Sequence, residues 1–398
     1  MKTIAVALAS ASLTLVATAA EPTIKLTGIA QLSNGPVALL EIQPARGAPL
    51  RPTLRRGERV EGIEVIAIDA KAAKVSVKVD GDVTELSFGA VDAAGQAPVF
   101  RLQGAHSRQV LDLYQELSGR TVITSPSLVG ATITATSGGA LEGATAAEAL
   151  ARTLGEKDIV ILPQFARFAF ATTPALVPEI AKLAVPPART KDVKAESLQA
   201  GEIRLEEYPA GLIKLFEADR RQVLDIYQEL TGRTLIVSPR LPAAKITVRS
   251  QTPLTRAEAI WLVEAALQLC DVAVSMRADK FAFVTTLAEA PRVAKFKAPP
   301  EPDKDPNAEV FPPGLIKFRE ADRAQVLDIY RVLTGRTLLP TPELPPAKIT
   351  LKSQTSLTHD EAFWLVESAL QLGGIRLVPV GDKQVKVLLE PGPEANKN

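Results

Sequence analysis

One helix-turn-strand segment occurs three times in this chain, as SRQVLDLYQELSGRTVITSP, RRQVLDIYQELTGRTLIVSP and RAQVLDIYRVLTGRTLLPTP. Each occurrence anchors a block of about seventy-five residues, the size of one supersecondary unit in a tandem array. Repetition at that scale multiplies a fold unit rather than a catalytic constellation, so it favours a modular binding or assembly protein over an enzyme. Gly119, Gly232 and Gly335 mark the same point in the three copies. Copies two and three stay aligned through KITVRSQTPLT (Lys245 to Thr255) and KITLKSQTSLT (Lys348 to Thr358), then through WLVEAALQL and WLVESALQL. Copy one aligns as far as Leu141, then carries an insertion within EGATAAEA and a shorter helix ending near Leu154, which makes it the degenerate copy.

Within each copy the hydrophobic period switches in a fixed order. In copy two, Leu212 to Phe216 reads as a short strand, and Asp219 stands where an N-cap carboxylate accepts first-turn amide hydrogen bonds. Val223, Ile226, Tyr227 and Leu230 then form one apolar helical stripe, ended by Gly232 at a left-handed cap. Thr234 to Val237 and Ile246 to Val248 read as strands around a turn with Pro239 and Pro242, and a second helix runs from Arg256 to Leu269 with Ala259, Leu262, Val263 and Ala266 inward. Strands at Val272 to Met276 and Lys280 to Thr285 close the unit around Ala278-Asp279. The sum is a βαββαββ module, two helices on one face of a small sheet, each module with its own core.

Ahead of the repeats, Ile24 to Phe88 alternates with period two, as in Lys74-Val75-Ser76-Val77-Lys78-Val79 before Asp80-Gly81, and predicts a small all-β unit with a tight hairpin. The fold class is therefore α+β: a β domain at 21–95, then modules at 98–175, 210–289 and 314–390. Proline-rich linkers at 176–209 and 290–313 are expected to act as semi-rigid spacers, and 391–398 as a disordered tail. Residues 1–20 read as a signal peptide, with Lys2, an apolar run from Ile4 to Ala17, and small residues before a cut after Ala19 or Ala20. The mature chain is expected to be exported and without a membrane span.

Composition removes several function classes. Lys and Arg number 46 against 45 Asp and Glu, so no global field gathers nucleic acid or an anionic membrane. Cys270 is the only cysteine; no internal disulfide or thiolate cluster can form, and its setting in QLCDV points to packing. Asp112 with Glu116 and Asp225 with Glu229 are i, i+4 carboxylate pairs, but copy three has Asp328 with Val332, so they read as solvated helix faces. His106 sits at an N-cap position and His359 at a helix start, unrelated places that suit capping or surface roles. With no phosphate loop, nucleophile elbow, zinc spacing or dinucleotide fingerprint, the expectation is no enzyme and no cofactor. Interaction candidates are Arg120, Arg233 and Arg336, which either neutralise the carbonyl end of the preceding helix or bridge to a neighbour, and Trp261 and Trp364, read as core, domain-edge or hot-spot residues.

The order of capped helix, TGR, strand, SP, KITV strand, L-T-x-x-E-A helix and hairpin resembles the periplasmic N-domains of secretins, the general secretion pathway protein D family. Lys245-Ile246-Thr247-Val248, Leu254-Thr255 and Glu258-Ala259 carry it in copy two; Lys348-Ile349-Thr350-Leu351, Leu357-Thr358 and Glu361-Ala362 carry it in copy three. Arg56-Gly57-Glu58-Arg59-Val60 with Gly62-Ile63-Glu64-Val65 is similar to the homology region of the type II secretion C component and of PilP. These resemblances imply KH-like modules that bind partners in the periplasm or stack into rings. Unlike a secretin, the chain shows no long barrel-forming region after the third repeat, so no pore is expected. The GXXG loop by which KH folds hold single strands is also missing. The expected function is a periplasmic scaffold binding secretion or pilus proteins, alone or as a homo-oligomer. The alternative is an envelope protein that grips peptidoglycan or another glycan.

Overall fold

The computed structural model describes residues 22–44, 47–88, 99–128, 130–137, 143–187, 207–301, 310–339 and 347–389. The expected signal peptide and tail, and the middle of both linkers, lie outside the described residues. The chain is mixed α+β with several small sheets, and it forms two compact units, one from residues within 1–117 and 130–153, the other from residues within 118–129 and 154–398. Each is taken by itself.

In the first unit, β1 (Thr23–Leu32), β2 (Gly35–Gln43), β3 (Thr53–Arg55), β4 (Arg59–Val60), β5 (Ile63–Asp69), β6 (Lys74–Val79), β7 (Asp82–Ser87) and β8 (Phe100–His106) precede α1 (Ser107–Ser118). β4 to β7 form an antiparallel meander, while β1, β2, β3 and β8 belong to a five-stranded sheet. Leu40, Ile42, Ile63, Val65, Val75 and Val77 form the shared core, the inward half of the period-two pattern. At the predicted hairpin, Asp80 (φ 50°) and Gly81 (φ 104°) both take the positive φ that a two-residue turn between twisted strands requires. β1 bulges between Leu26 and Gly28, and a Cβ on Gly28 would lie 2.8 Å from the Leu102 side chain of β8 and 3.2 Å from Leu39 Cβ, so any larger residue there makes its neighbours shift.

That pairing changes how copy one begins. Its first strand, β8, continues the β1 sheet, with Gly28 opposite Leu102. Its first helix is held to β2 by buried Gln109, whose Nε2 donates to Leu40 O at 2.9 Å. The start of copy one and the β region ahead of it are thus one unit, where the sequence suggests a boundary.

The remaining elements are β9 (Thr121–Thr124), β10 (Thr132–Thr136), α2 (Gly143–Gly155), β11 (Val160–Gln164), β12 (Phe168–Thr172) and α3 (Val177–Ile180) in copy one. Copy two holds β13 (Glu207–Tyr208), β14 (Lys214–Asp219), α4 (Arg220–Thr231), β15 (Thr234–Val237), β16 (Lys245–Arg249), β17 (Leu254–Thr255), α5 (Arg256–Gln268), β18 (Val272–Arg277), β19 (Phe281–Thr286) and α6 (Ala290–Val293). Copy three holds β20 (Val310–Phe311), β21 (Lys317–Asp322), α7 (Arg323–Thr334), β22 (Thr337–Leu338), β23 (Lys348–Lys352), β24 (Leu357–Thr358), α8 (His359–Leu372), β25 (Ile375–Val380) and β26 (Gln384–Leu389). β10 completes the first unit's five-stranded sheet, outside β8.

Local chemistry sets the helix ends. Asp219 Oδ1 accepts from Gln222 N and Gln222 Oε1 from Asp219 N, both at 3.0 Å, a reciprocal cap that satisfies two donors left orphaned by helix geometry. Gly232 and Gly335 follow their helices with φ of 66° and 63°, the left-handed C-cap. In copy one His106 caps α1: its Nδ1 accepts from Arg108 N at 3.2 Å. Burial, then the charges of Arg51 and Arg108, hold that imidazole's pKa below the ordinary value, which favours the neutral acceptor the cap needs.

The modules do not keep separate cores. Their strands divide between two sheets. In the second unit β14 and β16 extend β9–β12–β11 into one five-stranded sheet, and β15, β19 and β18 form another. Ile123, Phe168, Phe170 and Ile180 from copy one pack into the core around α4 and α5. Ile236, Phe281, Phe283, Val293 and Phe296 from copy two pack into the core around α7 and α8. The leading residues of the expected semi-rigid linkers form α3 and α6 and bury Ile180 and Val293. No helix among the described residues is long and apolar enough to cross a membrane.

Candidate functional site

A contact between successive copies occurs twice in the second unit, and it is built on one face of β12 in copy one and of β19 in copy two. β19 reads FAFVTT, with both faces buried: Ala282 and Val284 join the core of copy two, Phe281 and Phe283 that of copy three. Strands covered on both sides read as continuous apolar runs. Trp364, from α8, closes over this face with ring centroids 4.8 Å from Phe281 and 6.0 Å from Phe283. Tilted and edge-on aromatic pairs at such distances add to plain area burial.

The polar groups around the tryptophan are satisfied in a fixed pattern. Trp364 Nε1 donates to Lys297 O at 3.0 Å, on the segment after α6. Lys280 Nζ meets Glu361 at 2.8 Å, and the same carboxylate accepts from Thr358 N in the cap of α8. Thr234 Oγ1 accepts from Gln354 N at 2.9 Å. Every one of these contacts has a counterpart one copy earlier. Trp261 lies 4.7 Å from Phe168 and 6.3 Å from Phe170 and donates to Ala184 O at 2.8 Å. Arg167 pairs with Glu258 at 2.6 Å, and Thr121 Oγ1 accepts from Gln251 N at 2.9 Å. Buried Glu258 and Glu361 are tolerated because each has a cation and the amides of its helix start.

The pattern has two ends. β26 reads QVKVLL, with Val385 and Val387 buried and Gln384 and Lys386, at the positions of Phe281 and Phe283, exposed. At the other end α2 carries no tryptophan, since Trp261 and Trp364 are the only two in the chain. Sockets stand on copies one and two, plugs on copies two and three.

The sequence-derived interaction residues fall into this frame. Both tryptophans are buried between copies of the same chain. Arg233 Nη1 donates to Ala278 O (2.5 Å) and Phe281 O (3.4 Å), so it clamps the β18–β19 turn. It also faces Tyr227 and Glu264, whose side chains hydrogen-bond at 2.7 Å. Burial raises the pKa of both, and Arg233 opposes the rise. Arg336 stands in the same relation to Tyr330 and Glu367. Arg120 Nε is buried with no hydrogen-bond partner among the described residues.

Of the carboxylate pairs, Glu116 meets Arg55 at 3.1 Å, while Asp225 and Glu229 are exposed. His359 Nε2 lies 2.8 Å from Leu333 O. Burial pushes the Cys270 thiol up to about 11, as for a packed thiol with little thiolate character. No cluster of three His, Cys, Asp or Glu positioned to hold a metal occurs among the described residues. The functional signal that sequence reading missed is the Phe-Ala-Phe run of β12 and β19, a continuous apolar stretch in place of alternation.

No protein-family model matches the chain, and no curated protein matches it. Among solved structures it is similar to one described as "Structure of XcpQN012", the N-terminal domain of a type II secretion secretin, at 15% identity over 47% of this chain and 94% of that one, with a TM-score of 0.18.

Proposed function

We propose that the chain is a non-enzymatic periplasmic scaffold, exported by a cleaved signal peptide, whose tandem KH-like, secretin N-domain-like modules bind components of a type II secretion or type IV pilus system. The observation that carries this reading is the junction repeated contact for contact between copies one and two and between copies two and three. Aromatic plug, aromatic socket, paired charge and threonine acceptor recur at both junctions. The KITV, L-T-x-x-E-A and TGR motifs, and the homology-region-like β region ahead of them, support the secretion and pilus assignment. Arg120, Arg233 and Arg336 act in this reading within their own copies. Self-association into a ring or elongated oligomer uses other surfaces, because plugs and sockets are already matched inside one chain.

Crosslinking of the exported chain in intact envelopes, followed by mass spectrometry, tests the reading. Adducts with a secretin or another secretion or pilus protein are expected. Co-sedimentation with purified peptidoglycan sacculi in the absence of protein adducts overturns it in favour of glycan binding.

A further inference from the structure

The chain is close to neutral overall, yet one cleft in the second unit gathers positive charge. It has a volume of about 680 Å³ and lies between α4 and β15 of copy two and β21 and β23 of copy three. Arg220, Arg221, Lys317, Arg319, Lys348 and Lys352 line it, against the acidic side chains of Asp225 and Glu320. Some of this charge is matched. Arg221 lies 3.8 Å from Glu320 and Lys348 2.7 Å from Asp322, and Arg220 donates to Leu241 O and Pro242 O. Lys317, Arg319 and Lys352 are exposed and have no ion-pair partner among the described residues.

Strand register adds a second, independent observation. Lys317 and Lys352 are direct cross-strand partners. Like charges directly opposite in an antiparallel pair destabilise it, and no ion pair of Lys317 or Lys352 among the described residues offsets the cost here. A local rule broken without internal compensation marks a place where an outside group supplies it. A cleft walled by protein also focuses the field of such charges on whatever enters.

We propose that this cleft binds an acidic, extended segment of a partner protein. The proposal deepens the scaffold reading, on which it rests, by giving the partner's chemistry. The lining favours carboxylate side chains over a sugar chain: its one aromatic residue, Phe318, is buried, so no ring face is offered for stacking on a sugar. β21 pairs with β23 alone among the described residues, and a bulge after Phe318, with Glu320 at φ 51°, interrupts its edge. Cationic side chains reaching across the strand face, more than an added strand, hold the ligand.

The test titrates the full chain with a fluorescein-labelled octaglutamate peptide and, in parallel, with polygalacturonate, at low and at high salt. The variant Lys317→Glu/Arg319→Glu/Lys352→Glu is expected to weaken octaglutamate binding by about tenfold or more, and added salt to weaken wild-type binding. The control Lys71→Glu/Lys157→Glu/Lys383→Glu, with the same change in net charge at exposed sites elsewhere, is expected to change it by less than about twofold. Equal losses in both triples, no octaglutamate binding by the wild type, or cleft-dependent binding of polygalacturonate alone each overturns the proposal. Envelope crosslinks that persist in the cleft triple variant would leave the scaffold reading standing while removing the cleft from it.

Discussion

Replacing Phe281 with Gln and Phe283 with Lys writes the outer face of copy three onto copy two, and the double variant is expected to lose at least about 5 kcal/mol in the second unit. Both side chains are almost fully buried against Trp364. Removing two such rings forfeits their burial, and a lysine ammonium must take the place of a ring fully buried against an indole. The same two residues cost nothing at Gln384 and Lys386, because that face meets water. Urea denaturation and amide hydrogen exchange read the outcome: protection should fall across β23 and α8 while β1 to β8 stay unchanged. A loss below about 1 kcal/mol would mean that the shared face does not hold the copies together.

Trp364→Ala is the complementary change, made from the plug side, and is expected to cost about 3–5 kcal/mol, in the range of other large aromatic truncations in cores. Three losses add: ring contacts with Phe281 and Phe283, apolar burial, and the hydrogen bond that ties Lys297 O to the indole. Trp364→Phe keeps most of the packing and should recover more than half of the loss. Recovery by Phe no better than by Ala would show that the hydrogen bond to the linker, not the stacked rings, carries the junction. Chemical denaturation followed by circular dichroism measures both variants.

Much of the architecture is legible in the sequence because it is written locally. Asp219, Gln222 and Gly232 fix the limits of α4 through caps that depend only on near neighbours, and Asp80-Gly81 specifies its hairpin by backbone conformation alone. The apolar stripe of Val223, Tyr227 and Leu230 is buried as the helical period predicts. What periodicity cannot state is which partner covers a face. Phe281 and Ala282 both count as apolar, and only the fold shows that one looks toward the next copy and the other toward its own. Proline content likewise describes backbone stiffness but is silent on Ile180 and Val293, buried near the start of each linker. Arg233 reaches the β18–β19 turn because the parallel β15–β19 pairing brings that turn beside the end of α4, a long-range consequence that a helix-dipole argument from neighbours does not contain. The start of copy one joins the β region through Gly28, where the missing side chain permits the pairing without announcing it.

The central claim is that the copies are interlocked through shared sheets and do not fold as beads on a string. The two tryptophans make it measurable, since each reports one junction. In urea, the single-tryptophan variants Trp261→Phe and Trp364→Phe, followed by fluorescence, should give transitions that share midpoint and slope after allowance for the small cost of each substitution. Two well-separated transitions, with the junction of copies two and three melting while that of copies one and two stays native, would contradict the account.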